Sequence, residues 1–113
     1  MSSSLFKVLD SYLPKGLIKA GELLLQPQDA LYLAHDLQSL GVSILGVDIW
    51  YRVDGAIAED PNGLDLSYMV NRDDPVESST AAAKNYIEKQ LPTHIELVSF
   101  VINDNDWALL NKV

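Results

Sequence analysis

A chain of 113 residues, 48% apolar and 21% charged, is the size of one domain with one hydrophobic core and is not a disordered chain. It has no cysteine, which excludes disulfides and thiolate metal sites. Its formal charge is −8 and its isoelectric point about 4.4; such a surface repels nucleic acid and anionic membranes and attracts basic partners, although many proteins are acidic simply for solubility. The opening Met1-Ser2-Ser3-Ser4 lacks the basic and apolar segments of a secretory signal. No apolar run reaches the roughly 20 residues that span a bilayer. A cytoplasmic location is expected.

Ser4 is a candidate N-cap for a first helix with Leu5, Val8, Leu9, Tyr12 and Leu13 on one face. Pro14-Lys15-Gly16 ends it. Leu17 to Leu25 is open between a short helix and an irregular apolar segment. Pro27 fits the first position of a second helix with Asp29 in its first turn, Leu31, Ala34, Leu37 and Leu40 inward, and Gly41 as the C′ residue.

Val42 to Gly55 reads as a long strand entering an Asp54-Gly55 turn. Alternation puts Leu45, Val47, Ile49, Tyr51 and Val53 on a core face and Asp48, Trp50 and Arg52 on the other. Ala56-Ile57-Ala58 forms a short returning arm, and Asp60-Pro61-Asn62-Gly63 a second turn. Leu64, Leu66, Tyr68 and Val70 then alternate as another strand. Asn71-Arg72-Asp73 is a polar loop. Asp74-Pro75-Val76-Glu77 opens a third helix, with Asp74 as N-cap and Glu77 placed to close a capping box. Its inward stripe is Val76, Thr80, Ala83, Ile87 and Leu91, and Pro92 ends it. Ile95 to Ile102, apolar at nearly every position, reads as a central strand. In the tail Asn103–Val113, Trp107, Leu109 and Leu110 would dock on the domain. The expected fold is α+β: one domain over 1–113, with a mainly antiparallel sheet of about four strands and about three helices on one face.

Chemical motifs are few. The segment from Asp60 to Asp65 departs from a calcium loop in its glycine and its missing terminal acid. Asp104 and Asp106 have no histidine near them in sequence. His35 and His94 have no nucleophile or acid at a spacing that proposes catalysis. Ser78, Ser79 and Thr80 fall in the first turn of a helix, where hydroxyls satisfy backbone groups. No phosphate-binding loop, dinucleotide glycine pattern or zinc spacing is present, so no catalytic residue, cofactor or metal is assigned.

What remains is a binding surface. Asp48, Asp54, Glu59, Asp60, Asp65, Asp73, Asp74 and Glu77 place eight acids within thirty residues against Arg52 and Arg72 alone. Candidate partner-binding residues are Asp48, Trp50, Arg52, Asp54, Glu59, Asp60, Asp65, Asp73 and Asp74. Trp50 reads either as a residue buried on the second face of the sheet or as an interface anchor. Asp48 and Arg52 would then orient a partner, or else pair structurally.

The run Leu40-Gly41-Val42-Ser43-Ile44-Leu45-Gly46-Val47-Asp48-Ile49-Trp50 resembles the bacterial polymorphic-toxin immunity proteins of immunity protein family forty. There a helix ends in glycine before a strand reading apolar-Leu-Gly-x-Asp-apolar-aromatic. The resemblance extends over about residues 27 to 102, through Ser78 or Ser79, Ala83 and Tyr86-Ile87 in the later helix and His94 to Ile102 in the final strand. Gly46-Val47-Asp48 stands where the family commonly has Gly-Gly-Asp, and Leu66-Ser67-Tyr68 where it has a Trp-Tyr pair. The resemblance implies a cytoplasmic antitoxin, not an enzyme, that binds a cognate toxin domain and blocks its active site or an essential surface. Many such toxins are nucleases with basic grooves. Two other classes remain open on the residues alone: a small acidic regulatory or scaffold domain, and a hydrolase using paired acids. The oligomeric state is open.

Overall fold

The computed structural model describes residues 2–102, with the side chains of residues 2–4 and 6 excepted. The expected docking of Trp107, Leu109 and Leu110 and the Asp104–Asp106 loop lie outside them. The elements run α1 (Ser2–Tyr12), β1 (Leu17–Lys19), β2 (Glu22–Leu24), α2 (Pro27–Ser39), β3 (Gly46–Val53), β4 (Ala56–Asp65), α3 (Pro75–Lys89) and β5 (Leu97–Val101), with 3-10 turns at Leu13–Lys15 and Ser67–Asn71. This is an α+β architecture with three helices and two antiparallel sheets, a β1–β2 hairpin and a three-stranded β4-β3-β5 sheet. Among the described residues there are five strands, not four. The two sheets meet at one bridge: Leu25 and Val98 exchange both backbone hydrogen bonds at 2.8 Å.

The helices all feed one core. Leu5, Leu9 and Tyr12 of α1, Ala30, Leu33, Ala34 and Leu37 of α2, and Ala83, Tyr86 and Ile87 of α3 pack with Val47, Ile49, Val98 and Phe100 from the sheet. Each fully buried Leu, Ile or Phe contributes about 1.5–3 kcal/mol. Helix α1 begins at Ser2, earlier than an N-cap at Ser4 implies. It is tied to α2 by Tyr12, whose hydroxyl donates to Asp36 Oδ2 at 2.7 Å. Helix α2 starts at Pro27 as expected and ends in a Schellman motif: Val42 N–H reaches the Leu37 carbonyl and Gly41 N–H that of Gln38. Gly41 supplies the left-handed φ of +76°.

Helix α3 also starts at its proline, but Asp74 makes no side-chain cap bond, so the capping box does not form. The first-turn hydroxyl that matters is Ser79. Buried at 1% exposure, it accepts the Ile44 N–H at 3.0 Å and donates to the Val76 carbonyl at 3.2 Å. That bond pins α3 to the entry of β3, where the backbone is not yet paired as a strand.

The strands and the segments around them differ from expectation. Leu17–Leu25 is a hairpin, turned by Ala20 and Gly21 at φ +55° and +78°, a pair of positive φ values that suits a two-residue turn. The Ala56–Ala58 arm and the Asp60–Gly63 turn belong to a single ten-residue strand, β4, and Asp60–Gly63 forms a bulge where the β3 register shifts between Val47 and Ile49. Gly63 permits the bulge, since a Cβ there would strike the Val47 carbonyl oxygen. Beyond β4 the chain coils: Ser67–Asn71 is a 3-10 turn with Leu66 and Met69 buried three residues apart, and Tyr68 and Val70 are exposed.

β3 is shorter than Val42–Gly55 and is itself the central strand, whereas β5 lies between β3 and the single Leu25 bridge. On β3, Val47 and Ile49 are fully buried, Tyr51 is half-buried like Leu45 just before the strand, and Val53 is exposed. The core face thus fades toward the Asp54-Gly55 turn.

Candidate functional site

The second face of β3 carries Asp48, Trp50 and Arg52, and the structure separates their roles. Trp50 is only 3% exposed. It joins Leu24 and Leu97 in a small second apolar cluster flanked by Leu17 and Ile57, and its Nε1–H donates to Ser99 Oγ at 3.0 Å. It is therefore buried on the second face and offers no anchor to a partner in this conformation, which corrects its place among the binding residues. Arg52 is half exposed and sits 3.7 Å from Glu96, so its partner is Glu96 and not Asp48. A pair that open is worth little.

Four of the candidate acids do meet. Asp48, Glu59, Asp60 and Asp65 line a concavity of about 360 Å³ beside the bulge, together with Gly46, Gly63, Ser67 and neighbouring apolar residues. The bulge is what gathers them. It inserts Pro61-Asn62-Gly63 between two paired segments of β4, and Asp60 and Asp65, on either side of it in sequence, both line the one depression. Asp54 is in the β3–β4 turn and Asp73 and Asp74 precede α3; all three are exposed and none lines the concavity.

The four carboxyls differ in their bonding. Asp60 Oδ1 accepts the Asn62 N–H at 2.8 Å, and Oδ2 lies 2.9 Å from His94 Nε2. The Asn62 bond, then the His94 contact, hold its carboxyl below the usual range. Asp65 accepts the Ser67 N–H at 3.0 Å and its hydroxyl at 2.7 Å, which likewise lowers it. These two acids are engaged in shaping the turns and remain ionised. Glu59 is raised, by burial first and then by the charge of Asp48. Of the four, only Asp60 has a partner among the described ion pairs, and Asp48 and Glu59 are the two without a hydrogen bond to a turn.

Three participants, Glu22, Ser99 and His94, were not among the sequence candidates. Glu22 forms a hydrogen bond with Asp48 and accepts one from the Ser99 hydroxyl at 2.8 Å. His94, itself exposed, orients on Asp60 and meets the Tyr51 ring edge-on at 5.5 Å. Glu22 had no periodic signal, lying in a three-residue strand, and the Asp60–His94 pair spans 34 residues. An acid amid Leu-rich sequence, Glu22-Leu23-Leu24-Leu25, was the one available hint.

Chemically, the concavity suits an ammonium or guanidinium group. Among the described residues no group of three or more His, Cys, Asp or Glu is arranged to hold a metal ion. No described helix is long and apolar enough to cross a membrane. No family model, curated protein or solved structure matches the chain.

Proposed function

We propose that the protein is an immunity-type antitoxin, acting in the cytoplasm, that binds a basic bacterial toxin domain through the Asp48–Glu59–Asp60–Asp65 concavity. The observation that carries this reading is the convergence of four acids around one depression on a chain of charge −8. The resemblance of the Leu45-Gly46-Val47-Asp48 run to immunity protein family forty supports it. A lysine or arginine of the toxin would enter the concavity, and the surrounding negative field would speed encounter and disfavour wrong partners. A nuclease is the partner of best fit, since its substrate groove is already built to hold polyanions.

The test is co-expression with the toxin domain encoded next to this gene. Survival with the wild-type chain and death without it are expected. Neutralising the two acids without a structural bond to a turn, Asp48→Asn with Glu59→Gln, is expected to slow association by roughly tenfold at low salt. Failure of the wild-type chain to protect overturns the antitoxin reading. Protection with unchanged association in the double variant moves the interface elsewhere.

A further inference from the structure

The β1–β2 hairpin is joined to the main sheet partly by a row of polar groups crossing three strands. Asp48 of β3 stands opposite Ser99 of β5 in the antiparallel register. Ser99, 1% exposed, accepts the Trp50 Nε1–H at 3.0 Å and donates to Glu22 Oε1 of β2 at 2.8 Å. Glu22 closes the row with its hydrogen bond to Asp48. Two carboxyl groups in such contact require a proton between them, because two carboxylates only accept. Further attachments are the Leu25–Val98 bridge and the packing of Leu17, Leu23, Leu24 and Leu25.

From this geometry we propose that docking of the β1–β2 hairpin is controlled by the proton held between Glu22 and Asp48. With the proton in place the row is a continuous hydrogen-bonded clasp. When it leaves, two like charges face each other beside an apolar cluster, and the hairpin loosens from β5, uncovering Leu24, Trp50 and Leu97.

The surroundings favour the protonated clasp. Asp48 on β3 and Glu59 on β4 are the charged groups acting on Glu22, and both are negative; β5 adds only the Ser99 hydroxyl. Lys19, opposite Glu22 on β1, is exposed. Burial, then the Asp48 bond, push Glu22 up to about 7, against the opposing pull of Ser99. A carboxyl raised in the docked state holds its proton more tightly there than in the released state. Docking is therefore strongest at acid pH and weakens as pH rises through about 7.

Amide hydrogen exchange at Leu25 and Val98, whose N–H groups make the bridge, reads this directly once corrected for intrinsic rates. Between about pH 5.5 and about pH 8 the protection of both amides is expected to fall by roughly tenfold or more, while that of Ile49 in the centre of β3 holds. In Glu22→Gln the fall disappears, since an amide accepts from Ser99 and donates to Asp48 without titrating. Protection independent of pH in the wild type, or an equal fall in Glu22→Gln, overturns the proposal. If that variant does not fold, the Glu22 carboxyl carbon shift in the wild type decides: a midpoint near 7 supports the clasp and one at the ordinary carboxylate value overturns it.

Discussion

Trp50 illustrates how one side chain can satisfy alternation and still mislead about function. Alternation correctly put it on the second face of β3, with Asp48 and Arg52. What alternation does not carry is whether that face is covered, and the cover comes from Leu17 and Leu24 of a hairpin some thirty residues upstream. Because the indole is buried and its N–H is bonded to Ser99, truncation acts through stability. Trp50→Ala is expected to cost about 3–5 kcal/mol in urea denaturation. Trp50→Phe, which keeps most of the apolar area and loses the hydrogen bond, should cost about 1–2 kcal/mol. An alanine variant of unchanged stability would show that the indole is not packed in this way. Gly46 carries a parallel lesson: a Cβ there would come within 2.9 Å of the Leu64 carbonyl oxygen. The Leu-Gly-x-Asp run that carries the family resemblance thus contains a residue the sheet itself demands.

At the scale of elements, the helices were legible and the strands only partly so. Pro27, Gly41, Pro75 and Pro92 mark helix limits by covalent geometry, independent of tertiary context. The strands depend on partners. Three residues per arm are too few for the β1–β2 hairpin to show a period. Leu64, Leu66, Tyr68 and Val70 show a false one, because the Asp65 carboxylate binds Ser67 N–H and starts a 3-10 turn in which Leu66 and Met69, three apart, are the buried pair. Asp60-Pro61-Asn62-Gly63 does bend the backbone, through Asp60 and Asn62, yet both flanks continue pairing with β3, so the bend is a bulge and not a reversal. The bulge rests on Gly63, where a side chain meets backbone rather than a yielding neighbour. Gly63→Ala is expected to destabilise by about 1–3 kcal/mol, with amide shift changes centred on Val47, Asp48 and the acids of the concavity. A variant as stable as the wild type, with the sheet undisturbed, would mean the bulge closes without the close approach to Val47.

Across the whole molecule, the acidic surface was legible as composition but not as a place. Counting found the excess of acids between residues 48 and 77; only the bulge decided that Asp48, Glu59, Asp60 and Asp65 converge while Asp54, Asp73 and Asp74 stay apart. The same acids set how stability follows pH, and they pull in opposite directions. Asp60 and Asp65 are lowered by hydrogen bonds that exist only in the folded state, so their contribution is present above the ordinary carboxylate pKa and is lost as pH falls below it. Glu22 and Glu59 are raised, by burial and by Asp48. Their folded-state protons are held more tightly than in the unfolded chain, so stability is fullest below the ordinary carboxylate pKa and declines as pH climbs, for Glu22 through about 7. At higher pH the growing negative charge adds self-repulsion in the same direction. Stability is therefore expected to peak in mildly acid solution, near about pH 5, and to be lower by about 1–2 kcal/mol at about pH 8 once solvent screening of a half-buried pair is allowed for. Urea denaturation across that range measures it. Glu22→Gln should flatten the neutral limb of the curve and leave the acid limb, which belongs to Asp60 and Asp65, in place. A wild-type curve that instead rises from pH 5 to 8 would show that the carboxyls lowered by the turns outweigh those crowded on the second face of the sheet.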